Sequence, residues 1–278
     1  FNAGFSEVVN PTRPSFSENV KGVNPRAIKW IENHINEYDD LFLHIHYWDA
    51  HTPYHPAPEM IEQVADKPLQ DFPDEATIAD HYENFYGPKS ARDIMIRQEA
   101  TNYKSPYPDM PDQISNRAEL KHMMDSYDAS IASVDRAIGE IIDVLKSLDA
   151  YDDTIIIVSA DHGEAIGQMG MYFEHGVAVD GVTNVPLLMR IPGVTDAGIR
   201  SHAKIYQYDF MATLMDYLHI EQPSMWDASS FLPAVLGNDF TGHPYIVYGC
   251  GIFSLQRAIR TDSHALVWTH HPGCSPLD

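Results

Sequence analysis

Two short clusters in this chain combine residue types that can do chemistry at close spacing: Trp48-Asp49-Ala50-His51-Thr52-Pro53-Tyr54 and Ala160-Asp161-His162-Gly163-Glu164. An Asp followed at once by a His offers a hard carboxylate oxygen and an imidazole nitrogen to one divalent ion, and the glycine after them lets the backbone turn away. Taken alone, Asp161 and His162 suit a strand cap plus a surface residue better than a metal pair. A third cluster, Phe173-Glu174-His175-Gly176, adds a further imidazole one loop later. Histidine both donates a hydrogen bond to an anionic oxygen and exchanges a proton near neutral pH, so three such clusters around one sheet edge suit metal and proton chemistry together. His44 and His46 alternate on one face of an apolar run and read as interior or near-surface residues, and His270-His271 as a solvated turn.

Those clusters need elements to hold them. Leu41-Phe42-Leu43-His44-Ile45-His46-Tyr47 is a short apolar run bounded by acidic and Pro-containing turns, which predicts a buried parallel strand ending at the first cluster. Thr154-Ile155-Ile156-Ile157-Val158-Ser159 predicts a second, ending at Asp161-His162, and Val185 to Arg190 a third. Asn24-Pro25 with Ala27, Ile28, Ile31 and Ile35 predicts a capped helix that ends near Tyr38. Met123, Met124, Tyr127, Ile131, Val134, Ile138, Ile141, Ile142, Leu145 and Leu148 recur at helical spacing and predict one amphipathic helix over Arg117 to Leu148, with the Met residues as core filler. Residues 56–113 are rich in Pro, Asp, Tyr and Asn and predict an irregular excursion with short helices. Its aromatics, Tyr82, Phe85, Tyr86, Tyr103 and Tyr107, suit stacking on a sugar or aryl group and suit loop packing equally. Gln207 to Leu218 predicts a helix, and Tyr245 to Tyr248, Ala258 to Arg260 and Ala265 to Trp268 short strands. The alternation implies an α/β domain with helices on both faces, in which ligands bind outside the carboxyl ends of the strands.

Composition narrows the partners. The chain has 278 residues, 44% hydrophobic, with 18 Lys and Arg against 40 Asp and Glu, a net charge of −22. Its 19 Pro and 16 Gly are scattered, which excludes fibrous and disordered architectures. No run approaches the roughly 20 apolar residues that a spanning helix needs. A basic stripe is missing, which excludes nucleic acid as a ligand, and an anionic substrate requires local reversal of charge by a metal ion, an Arg or a protonated His. Cys250 and Cys274 make neither a disulfide framework nor a zinc cluster. Phe1-Asn2-Ala3-Gly4-Phe5 offers no initiator Met and no signal-peptide pattern, so compartment stays open between periplasmic or secreted and cytoplasmic, as does oligomeric state.

With these residues in view the chain resembles the sulfatases. Asp49-Ala50-His51-Thr52-Pro53-Tyr54 is similar to their Asp-x-His-x-Pro-Tyr element, Asp161-His162-Gly163-Glu164 to their metal segment, and His175-Gly176 through Asn184-Val185-Pro186-Leu187 to their catalytic His or Lys with the strand after it. The resemblance runs from about Gly4 to Trp268. It implies an alkaline-phosphatase-like three-layer sandwich, a mostly parallel sheet with helices on both faces, with a core over residues 1–244 and the start of a small antiparallel subdomain over 245–278. It further implies a hydrolase of small-molecule or carbohydrate sulfate esters that uses a divalent metal, Ca first with Mn or Zn as alternatives. Asp161 and His162 are then metal ligands, His51 holds the sulfate or protonates the leaving group, and His175 contacts the same sulfate and leaving oxygen.

The chain departs from the family in two places. The paired Asp of the family's first strand and its Cys/Ser-x-Pro-x-Arg nucleophile motif, the source of formylglycine, are both missing from the sequence. Val9-Asn10-Pro11-Thr12-Arg13 has Val at the nucleophile position, and Cys274-Ser275-Pro276-Leu277-Asp278 has Asp in place of Arg. Both read as chance matches. The expectation is a fragment, inactive by itself and binding metal weakly through two of the family's ligands at most. Two other readings compete: a phosphonate monoester or phosphodiester hydrolase of the same superfamily, and a non-catalytic remnant of the fold. A phosphoglycerate mutase or phosphopentomutase relative calls for more Asp and His downstream than this sequence carries.

Overall fold

The structure is a computed structural model, and it describes residues 4–9, 19–54, 56–84, 91–92, 94, 110–195, 198–251 and 255–271. The two chance nucleophile matches fall largely outside the described residues, as do Phe85, Tyr86, Tyr103 and Tyr107. The chain divides into two compact units, one within residues 1–85 and 90–153, the other chiefly within 154–278.

The first unit is helical among its described residues. Helix α1, Val20–His34, is capped five residues before the expected Asn24, by Asn19, whose side chain accepts from the Gly22 amide. Pro25 lies inside the helix, and Asn24 is buried, accepting from the Tyr47 hydroxyl at 2.6 Å and donating to Glu140 Oε2 at 2.7 Å. Burial, and then the neighbouring Glu140 charge, push the Tyr47 phenol up to about 12. Within the excursion, α2 spans Pro58–Val64 and α3 spans Glu75–Glu83. Helix α4, Arg117–Ser147, is the expected long helix. Asn116 caps it by accepting from the Glu119 amide, while the Glu119 carboxylate reaches back to the Ser115 amide at 2.6 Å, so both ends of the exchange satisfy otherwise orphaned donors. Its most buried positions are Leu120, Met123, Ser126, Ala129, Ser130, Ala137 and Leu145. Small side chains allow close approach, and Ala129 packs with Met60 and Val64 of α2. Ile131, expected in the core, is instead exposed.

Segment 41–47 corrects a second expectation. It carries no strand ladder among the described residues, and Leu41, Phe42 and Leu43 are exposed. The apolar run therefore has the composition of a buried strand without the pairing.

Among its described residues the second unit contains three sheets. β1, Ile156–Ser159, pairs antiparallel with β4, Leu187–Arg190, so the parallel pairing expected for the strand before Asp161 is absent from the described ladders. β1 is only half-buried, and its partner runs back along it after the intervening residues 160–186. That excursion holds the hairpin β2, Ala165–Ile166, with β3, Tyr172–Glu174, then the single turn α5, Asp180–Thr183. Helix α6, Asp209–Tyr217, and the short α7, Leu232–Val235, follow. β5, Ile246–Cys250, β6, Leu255–Arg260, and β7, Ala265–His271, form a three-stranded antiparallel sheet. His270, expected in a turn, lies in β7 with its ring stacked on Trp268 at 5.3 Å. No helix is long and apolar enough to cross a membrane among the described residues.

Candidate active site

In the first unit, His51 follows Trp48, whose ring lies 4.4 Å from its own, and its Nδ1 donates to Thr52 O at 2.6 Å. Two residues before His51 the loop turns back on α1: the Asp49 carboxylate accepts from the Val20 amide at 2.8 Å, at the helix's positive end. Tyr54, which closes the motif, is buried against Tyr127 of α4 with ring centroids 5.4 Å apart. The His51 loop is thus anchored to α1 on one side and to α4 on the other.

The second unit gathers Asp161, His162, Glu164 and His175 beyond β1. Asp161 is exposed, and its Oδ1 accepts from the His162 amide at 3.0 Å. His162 Nδ1 donates to Gly163 O at 3.0 Å, which directs Nε2 to the opposite side of the ring, where it lies 3.9 Å from Asp161 Oδ2. Carboxylate oxygen and imidazole nitrogen bind Ca, Mn or Zn at about 2.0–2.6 Å, so two atoms 3.9 Å apart reach one ion between them. A backbone carbonyl on the remote ring nitrogen is also the usual support for a metal-bound histidine. The donor pair fits a divalent cation.

His175 stacks on His162, with ring centroids 3.9 Å apart and planes 26° from parallel. Its Nδ1 lies 3.9 Å from Oε2 of Glu164, whose side chain is 3% exposed. Sequence reasoning quoted Glu164 only as part of a motif, and nothing short of the fold shows that its carboxylate turns inward toward His175.

Gly163 explains how the loop holds this shape. Its amide donates to Val182 O at 2.8 Å, and a Cβ built there would stand 2.1 Å from Gly181 O. Only glycine lets the backbone of loop 160–164 lie directly on α5. A Cβ on Gly181 would in turn stand 2.8 Å from Glu164 O.

Comparison with known proteins decides the family: the Sulfatase family profile matches residues 8–220. The chain belongs to the sulfatase family. Among curated sulfatases, it is 31% identical over 121 residues to the N-acetylglucosamine-6-O-sulfatase of Bacteroides thetaiotaomicron, covering 44% of this chain and 21% of that one. With human arylsulfatase K it shares 29% identity over 156 residues, 52% of this chain and 29% of the relative. Among solved structures, one in complex with its substrate D-glucosamine-2-N,6-O-disulfate matches with a TM-score of 0.66 at 18% identity, over 91% of this chain and 62% of that one. The phosphonate monoester hydrolase of Silicibacter pomeroyi matches with a TM-score of 0.62 at 22% identity, over 91% of this chain and 55% of that one. The sulfatase-family chain thus has the alkaline-phosphatase-like α/β fold, and it spans less than two thirds of each of these relatives.

Proposed function

We propose that this chain carries the metal-binding and sulfate-holding part of a hydrolase of small-molecule or carbohydrate sulfate esters. The observation that carries the proposal is the Asp161-His162 donor pair with His175 stacked against it, in a chain of the sulfatase family. Asp161 and His162 Nε2 would hold a divalent ion, Ca first and Mn or Zn as alternatives, which would supply positive charge toward the sulfuryl oxygens. Cleavage of the S–O bond leaves charge on the leaving oxygen, and His51 or His175 in imidazolium form is the group to place a proton there. The Glu164 carboxylate lies 3.9 Å from His175 Nδ1. A chain of net charge −22 needs such a local cationic site to draw a sulfate in. In this reading the nucleophile, a formylglycine, belongs to sequence outside these 278 residues, which hold no Cys/Ser-x-Pro-x-Arg motif. Names of relatives support a sulfated sugar as substrate.

The likeness to phosphonate monoester hydrolases and to the multifunctional superfamily protein of Trinickia caryophylli, 28% identical over 124 residues, favours one second reading, hydrolysis of phosphonate monoesters. Rates on 4-nitrophenyl sulfate and 4-nitrophenyl phenylphosphonate, measured for the complete gene product with Ca or Mn, separate the two. The proposal expects the sulfate to be faster, with a loss of about 100-fold or more in His175→Ala; a faster phosphonate overturns it. By itself the 278-residue chain is expected to bind Ca weakly in calorimetry, not at all as Asp161→Asn, and to turn over no aryl sulfate. Turnover by the pure chain refutes the placement of the nucleophile outside it.

A further inference from the structure

Strand β6 lies far along the sequence from both imidazoles of the site, yet two of its side chains hold the segment that joins them. Gln256 is 1% exposed and fully engaged. Its Oε1 accepts from the Ala178 amide at 2.7 Å, and its Nε2 donates to Thr269 Oγ1 of β7 at 3.1 Å and lies 3.6 Å from Met169 Sδ at the tip of the β2–β3 hairpin. Ala178 is three residues beyond His175, and the hairpin leads directly into it. Both approaches to His175 are therefore held by one amide. Arg260, on the same face of β6, makes an ion pair with Asp180, the first residue of α5. The next two residues of α5 are those that hold the metal loop, since Val182 O accepts from the Gly163 amide and Gly181 O abuts Gly163 Cα. Between the two anchors sits Ala258, buried like Gln256, whereas the Arg260 and Asp180 side chains are 37% and 50% exposed.

We propose that β6 is a positioning strand for the His162–His175 pair, with Gln256 setting His175 through Ala178 and Arg260 setting His162 through α5. The physical reason is that residues 175–182 have little regular structure of their own: one short turn and no strand. A loop is held to sub-ångström accuracy only where its backbone groups are bonded to a rigid element, and the three-stranded sheet is the rigid element present. A purely structural role would stabilise the unit without fixing the relation of the two rings. The positioning role makes ring geometry itself depend on Gln256 and Arg260. Its consequence for catalysis rests on the sulfate ester reading, whereas its geometric content does not.

The test uses the 278-residue chain, labelled at histidine and at backbone amides, with NMR observation of the His162–His175 ring contact and of Ala178 amide exchange. Gln256→Met keeps the side-chain length and removes the acceptor; Arg260→Met removes the ion pair. Each is expected to abolish the ring-to-ring cross-peak, and Gln256→Met to speed Ala178 exchange by about tenfold or more. Gln256→Glu keeps an acceptor facing Ala178 and is expected to retain the cross-peak. Thr269→Val disturbs the same sheet from its other side and is also expected to retain it. An intact cross-peak in both Met variants overturns the proposal, as does its loss in Thr269→Val to the same degree. If Gln256→Met does not fold, Arg260→Met decides by the same criterion. Because none of these readouts needs metal or turnover, they stand apart from the assay of sulfate hydrolysis.

Discussion

Replacing Gly163 by Ala adds a single methyl group at the point where loop 160–164 lies on α5. The added carbon would sit 2.1 Å from Gly181 O and must move to about 3.4 Å, so the two backbones must part by about 1.3 Å. Neither side yields easily, since the contact is backbone to backbone. Overpacking of this kind costs about 1–3 kcal/mol. Separation also lengthens the 2.8 Å bond from the Gly163 amide to Val182 O, a loss of about 1 kcal/mol. Gly163→Ala should therefore destabilise the second unit by about 2–4 kcal/mol, read as a lower urea midpoint at unchanged slope. Gly139, inside α4 in the first unit, is the control of opposite sign, because a Cβ there meets nothing within 4 Å. Ala at that position should stabilise by about 0.5–1 kcal/mol through helix propensity. A Gly163→Ala midpoint within about 0.5 kcal/mol of the parent refutes the reasoning, since surface changes without a mechanism fall in that range.

Tyr47 makes stability depend on alkaline pH. Its phenol is raised from 10 to about 12 by burial and then by Glu140, so the folded state holds a proton that the unfolded chain gives up first. That contribution is complete below pH 10, the unfolded value, and is lost as pH rises toward about 12. Unfolding free energy followed across this window should fall more steeply for the parent than for Tyr47→Phe; parallel curves would exclude Tyr47 as the source. Asp209, fully buried at the start of α6, accepts from the Tyr206 and Ser229 amides at 2.8 Å each and from His243 Nε2 at 2.8 Å. Asp209→Ala leaves these donors without their acceptor and should cost about 3–5 kcal/mol in chemical denaturation, and a loss below 1 kcal/mol would show that the cluster rearranges around the gap.

The sequence by itself was enough for the elements whose signals are local. Helix α4 lies within one residue of its expected span, because a run of apolar residues at helical spacing specifies it. The motifs around His51, Asp161, His162 and His175 were legible as clusters because their chemistry is carried by adjacent residues, and they named the family to which the chain belongs. Pairing was less legible. The apolar run 154–159 reads as a strand whichever direction its neighbour takes, and only the return of β4 made it antiparallel. Ile131 has a core side chain at a core spacing, yet α4 packs through Ala129 and Ser130 instead, since close helix contact favours small residues over periodicity. Asn24 looked like a cap and became a buried bridge, because Asn19 took the role first. Tertiary structure alone decided the closest relations in the site: the stacked imidazoles, the inward carboxylate of Glu164 and the bond from Gln256 to Ala178. Each joins residues that are distant along the chain or separated by a turn. Their contact is set by how strands and loops close on one another, and residue order encodes that only through the whole fold.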